Sequence, residues 1–172
     1  MRVTVAFVFA ATGLAVQPAA AQEMTVSVEI PRLRVAEYHN PYVAVWIEDE
    51  NGRAVRTLDV WYDIDLTGDD PKKWLPDMRT WWRRTGRTLE MPADGISSPT
   101  KAPGTHKRVY KQGSRPLGNL PAGSYKLQVE AAREVGGRET VSIPFQWPPK
   151  PGSGATVRGK AELGAVRLDL KR

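Results

Sequence analysis

Residues 42–62, YVAVWIEDENGRAVRTLDVWY, constrain the fold more than any other stretch of the chain. Val43, Val45 and Ile47 alternate with Tyr42, Ala44 and Trp46, so both faces of residues 42–48 are apolar. Such a strand needs cover on each side and belongs in the middle of a sheet rather than at its edge. Asn51-Gly52 supplies a tight turn, because both residues tolerate the positive φ that a two-residue hairpin demands. Residues 54–62 then return as a second strand.

The period-two pattern recurs. Residues 24–30 (MTVSVEI) place Met24, Val26, Val28 and Ile30 on one face. Residues 124–133 (SYKLQVEAAR) and 138–146 (RETVSIPFQ) read as a hairpin across Gly136-Gly137, and Pro144 marks an edge or a bulge. Residues 157–163 and 166–170 close the chain as two more strands, after a Pro/Gly-rich connector at 148–154. Strands at spacings of about ten residues predict an all-β fold, an immunoglobulin-like β-sandwich. One short inserted helix is the exception, over residues 70–85 (DPKKWLPDMRTWWRRT). Trp74, Met78, Trp81 and Trp82 recur there at helical spacing, Asp70 can cap, and Pro76 marks where the helix begins in earnest.

The first residues, MRVTVAFVFAATGLAVQPAAAQ, combine Arg2, an apolar run too short to cross a bilayer, and a small-residue cleavage site. Residues 1–21 are therefore expected to be a signal peptide directing export to the periplasm, with 22–172 as a single mature domain. The 172-residue chain has no cysteine, which excludes disulfides, thiolate metal sites, thioether haem and a lipoprotein anchor. Its formal charge of +6 is spread along the sequence, and export argues against nucleic acid as a partner.

Metal and hydrolytic chemistry find little support. His39 and His106 are the two histidines, and neither has a carboxylate at ligand spacing. A hydrolase built on His106 would need a nucleophile elbow that the sequence lacks, and no catalytic constellation emerges. Residues 63–70 (DIDLTGDD) resemble a calcium loop without its closing glutamate, and read better as a solvated acidic turn. The helix segment offers more. Trp74, Trp81 and Trp82 beside Arg79, Arg83 and Arg84 could stack on a planar ligand and grip its phosphate, or could simply pack the helix onto the sheet.

Several ordered stretches together resemble the bacterial periplasmic proteins grouped as domain of unknown function 2271 (DUF2271). They are Asn40-Pro41 with residues 42–49, the helix of residues 74–84, Asp94-Gly95-Ile96-Ser97 with Thr100 and Pro103-Gly104, and residues 132–139 (AREVGGRE). Residues from Leu120 onward (LPAGSYKLQVEA) also resemble the immunoglobulin-like module of flagellar hook-capping proteins, in keeping with a sandwich.

By its setting, the family resemblance implies exported electron-transfer systems that pair a PepSY-type membrane reductase with an FAD:protein FMN transferase. That transferase recognises Asp-x-x-Ser/Thr-Gly-Ala-Thr/Ser and joins FMN through its phosphate to the last hydroxyl. Asp94, Ser97 and Thr100 match the motif, and Ser98-Pro99 replace Gly-Ala. Proline removes an N–H and biases Ser98 away from helical backbone, so the loop differs where its shape is set.

The resulting expectation is a non-enzymatic accessory protein of a flavin-linked or iron/haem-linked redox system. Thr100 would be the covalent FMN site, with Asp94, Ser97, Trp81, Trp82 and Arg83 around the cofactor. The alternative is a cofactor-free immunoglobulin-like module docking on a membrane reductase or another envelope protein. On either reading residues 91–104 are expected to form a turn-rich exposed loop.

Overall fold

The computed structural model describes residues 22–67 and 70–172. Residues 1–21, expected to be a signal peptide, lie outside the described residues, as do Gly68 and Asp69 of the acidic turn. No helix among the described residues is long and apolar enough to cross a membrane.

The chain is an all-β sandwich with one short helix. Its strands are β1 (Glu23–Ile30), β2 (Tyr42–Asp49), β3 (Ala54–Tyr62), β4 (Ser97–Pro99), β5 (Gly104–Lys111), β6 (Gly123–Ala132), β7 (Arg138–Trp147), β8 (Gly154–Arg158) and β9 (Ala165–Lys171). One sheet runs β5-β1-β9-β8 and the other β4-β3-β2-β6-β7. The doubly apolar β2 occupies the centre of the larger sheet. It pairs antiparallel with β3 on one side and β6 on the other. A turn does join β2 and β3 at Asn51-Gly52, but as a three-residue loop closed between Asp49 and Arg53 at 3.0 Å, with Gly52 at φ 72° and Asn51 not at positive φ. Pro144 lies on β7, an edge strand, where its missing N–H breaks no inner ladder.

Each face of β2 serves a different core. Val43, Val45 and Ile47 meet Met24, Val26 and Val28 of β1 between the sheets. Ala44 and Trp46 point outward and are covered by Leu75, Met78, Trp81 and Met91 from the connection between β3 and β4. The helix of this connection is shorter than the sequence pattern implies. Only α1 (Arg79–Arg84) is α-helical, flanked by 3-10 turns at Leu75–Asp77 and Gly86–Thr88. Pro76 has no N–H to give and so suits only the opening turn of a helix.

Six residues are too few to hold a helix in water, and packing supplies what propensity lacks. Trp81 is entirely buried and gives its indole N–H to Thr57 Oγ1 at 3.3 Å. A Cβ at Gly86 would stand 2.7 Å from the Trp81 ring. The backbone after α1 therefore lies flat against the indole.

Two stretches differ from expectation. Residues 104–111 form the edge strand β5 on β1, although GTHKRVYK shows little apolar alternation, because Tyr110 alone of its side chains is fully buried. Lysine-rich edges of this kind discourage pairing with other chains. Strand β8 ends at Arg158 rather than continuing through residue 163. The Glu139 carboxylate draws in the backbone N–H groups of Lys160, Ala161, Glu162 and Leu163, and an anionic acceptor of four donors outcompetes a strand ladder.

The ring-to-backbone contact sets a testable cost. Gly86→Ala should destabilise the protein by about 1–3 kcal/mol through overpacking, read as a lowered urea midpoint. An unchanged midpoint would show that the Trp81 ring can shift at no cost.

Candidate functional site

The site is built on the outer face of the larger sheet and starts from Glu130. This β6 residue is fully buried. Its carboxylate accepts the backbone N–H groups of Thr80 and Trp81, at 3.0 and 2.8 Å, and pairs with Arg138 Nη1 at 2.9 Å. Burying a charge is tolerable only when it is fully paired. Glu130 thus fixes where α1 begins and holds Arg138 beside it.

The chain reaches Thr100 through the motif stretch. Asp94 and Gly95 form an exposed turn, with Gly95 at φ 73°. The Ser97 hydroxyl accepts the Ala93 N–H at 2.9 Å and closes that turn. The next residues are not the free loop expected from the sequence. Ser97, Ser98 and Pro99 pair in parallel with Val60, Trp61 and Tyr62, adding β4 to the sheet edge. The Thr100 N–H continues the ladder to the Tyr62 carbonyl at 3.2 Å. Pro99 is tolerated because β4 is an edge strand.

Behind β4 lies a buried acid. Asp59 is 1 % exposed and accepts the Ser98 hydroxyl at 3.3 Å. Tyr110 Oη, at 3.5 Å, and Arg108 Nε, also at 3.5 Å, reach it from β5. These groups join neighbouring edges of the two sheets, and residues 100–103 cross from one to the other. Burial pushes the Asp59 carboxyl above its ordinary value, against the pull of Arg108 and Ser98. Burial likewise raises the Tyr110 phenol.

Thr100 is half-buried and lines a surface pocket of about 220 Å³. Trp74, Tyr42, His39, Asp63, Asp77 and Glu134 share that lining. Trp74 is 39 % exposed, with Lys73 Nζ 4.9 Å from its ring centroid. His39 stands between Glu37 and Glu134, at 3.0 and 3.6 Å. A second hollow, of about 450 Å³, shares Trp74, Asp77 and Glu134 with the first and continues to Arg79 and Arg138. A third, of about 250 Å³, shares Arg79 and Arg138 with the second and adds Pro76, Trp82 and Arg83. The three form a chain of hollows along the α1 side of the sheet, acidic near Thr100 and basic near Trp82.

The structure therefore separates residues that the sequence grouped. Trp81 is sealed in the core beneath α1 and has no face for a ligand. Trp82 and Arg83 are near the surface but line the far hollow, away from Thr100. Asp94 and Ser97 shape the turn before β4 and do not line the Thr100 pocket. The aromatic wall beside Thr100 is instead Trp74 with Tyr42. Trp74 was visible at helical spacing, but Tyr42 read as a sheet residue, and only the fold brings it beside residue 100. His106 does not line the Thr100 pocket. Its Nε2 is 2.8 Å from the Ala102 carbonyl, and its ring meets Trp61 edge-on at 5.6 Å. Among the described residues no group of three or more His, Asp or Glu is arranged to hold a metal ion.

A family model for predicted periplasmic proteins, DUF2271, matches residues 23–165, and the chain belongs to that family. No curated protein and no solved structure matches it.

The Asp59 cluster has a measurable signature. A carboxyl raised above 3.8 binds its proton more tightly folded than unfolded. Its contribution to stability is thus present at low pH and lost as pH rises through the folded value. The stability of the wild type relative to Asp59→Asn should fall as pH rises above the ordinary carboxyl value of 3.8, measured by urea unfolding at each pH. A difference that grows with pH would mean that Arg108 and Ser98 outweigh burial.

Proposed function

We propose that this member of the DUF2271 family is a periplasmic accessory protein of a flavin-linked electron-transfer system, with FMN carried on Thr100. The supporting observation is that Thr100, the last hydroxyl of the Asp94–Ser97–Thr100 spacing, lines one pocket with Trp74 and Tyr42. An exposed indole and a phenol ring beside an attachment hydroxyl suit an isoalloxazine, which stacks on aromatic faces.

The fit is steric and aromatic rather than electrostatic. Asp63, Asp77 and Glu134 line the same pocket and do not favour a phosphate deep within it. Lys101, the next residue, is the nearest cation in sequence to the ester oxygen. At about 220 Å³ the pocket is smaller than sites that enclose a whole cofactor, so part of the ring would remain in solvent. Such exposure suits electron exchange with a docked partner.

In the attachment step Thr100 Oγ attacks the FMN phosphorus of FAD. The new bond is a phosphoester, the pyrophosphate bond breaks, AMP leaves, and the hydroxyl proton passes to a base of the transferase. Bound FMN supplies one- and two-electron transfer. The protein holds the attachment point through the Thr100 N–H bond to Tyr62, and Trp74 and Tyr42 limit the ring's positions. The partners on this reading are an FAD:protein FMN transferase and a PepSY-type membrane reductase.

The acidic lining favours a second reading, in which the protein is a cofactor-free binding module that docks on a membrane reductase or another envelope protein. Intact mass separates the two. Exported with an active FMN transferase, the protein should gain the mass of one FMN less water. Thr100→Ala should abolish the gain and Thr100→Ser should keep it. An unmodified mass beside a transferase that flavinylates a control substrate would leave the binding module standing.

A further inference from the structure

The hollow that holds Trp82 and Arg83 has a character of its own. Pro76, Arg79, Trp82, Arg83 and Arg138 line it, with no carboxylate in that lining. Arg79 and Arg83 are one helical turn apart, a like-charge spacing that weakens a helix when no anion lies between. Several arginines elsewhere are matched with carboxylates. Arg84 meets Glu48, Arg53 meets Asp49, Arg133 meets Glu162 and Arg167 meets Asp169. Arg79 and Arg83 have no such partner among the described residues.

The guanidiniums are also positioned. Arg83 Nε donates to the Arg79 carbonyl at 3.2 Å, which holds the base of its fork. Arg138 is anchored by Nη1 to Glu130 and Thr80, at 2.9 and 3.4 Å, and remains part-exposed. Glu130 neutralises one of the three cations, and two remain in excess. Trp82 packs its ring against Trp81 at a 6.2 Å centroid separation, with a 55° tilt, and shows its remaining surface to the hollow.

We propose that this hollow is a binding site for a planar, aromatic oxyanion, an aryl phosphate or aryl carboxylate. The Trp82 face takes the ring, and Arg79 and Arg83 take the oxyanion, with Arg138 behind them. Guanidinium forks match the geometry of phosphate and carboxylate, and they stack on aromatic planes as well. A bound anion removes the like-charge strain between Arg79 and Arg83. The site is separate from Thr100 and does not depend on flavin attachment there.

Phenyl phosphate is the probe, titrated into the exported protein while the indole N–H signal of Trp82, assigned through Trp82→Phe, is followed by NMR. The expected result is a saturable shift that weakens as salt is added. Inorganic phosphate and phenol should each bind more weakly than phenyl phosphate, because each lacks half of the recognition. Arg79→Ala/Arg83→Ala should weaken phenyl phosphate about tenfold or more, since charge-assisted hydrogen bonds are lost. Arg84→Ala, which touches the Glu48 pair instead, should leave binding intact. Both arginines are exposed, and preserved spectral dispersion verifies that the variant folds. A shift that does not saturate, one that persists in the double variant, or equal binding of inorganic phosphate would each overturn the proposal. Thr100→Ala should bind phenyl phosphate as the wild type does, whatever its flavin content.

Discussion

The carboxylate of Glu130 is the interaction on which the outer layer depends. It lies in the middle of a sheet, fully out of water, and is satisfied by two backbone N–H groups and one guanidinium. Buried ion pairs seldom add net stability over apolar residues of the same shape. Their cost when broken is what matters, because any loss of register by α1 would strand the charge. A helix of six residues, which could not persist alone, is thereby held to one position on the sheet.

That position makes the two sheets unequal. The smaller sheet packs only one face against an apolar core. The larger buries both, with Trp46, Val60 and Tyr62 covered by Leu75, Met78 and Trp81. The cover is an irregular connection rather than a second sheet, so its rim is uneven. The hollows holding Thr100 and Trp82 lie along that rim, where aromatic rings partly emerge among charges. Surface hollows of this kind, set on a rigid sheet, are where binding residues collect.

The sheet was largely legible in the sequence. The two-sided apolar pattern of residues 42–48 located the central strand, and the Asn-Gly pair located its hairpin. Strands with one wet face and few apolar residues were not legible. Strand β5 carries His106, Lys107, Arg108 and Lys111, and its membership depends on pairing with β1 rather than on its own composition. Parallel pairing of β4 was equally hidden, since three residues rich in serine and proline carry no periodic signal. For the site, the Trp/Arg cluster marked the right segment but not its orientation. Helical spacing alone cannot tell Trp81, which enters the core, from Trp82, one residue on. Tyr42 joined the Thr100 pocket only through the fold, because the contact spans 58 positions of sequence, the difference between residue numbers 100 and 42.

The close approach of Gly86 to the Trp81 ring reaches beyond this one chain. Neither residue is demanding alone: an indole can sit under many helices, and a glycine can end many turns. Together they are a lock in which the larger part fits only while the smaller stays bare. In relatives sharing this architecture, the two positions should behave as one inherited character. A side chain at the position of Gly86 should appear only where the ring opposite has shrunk.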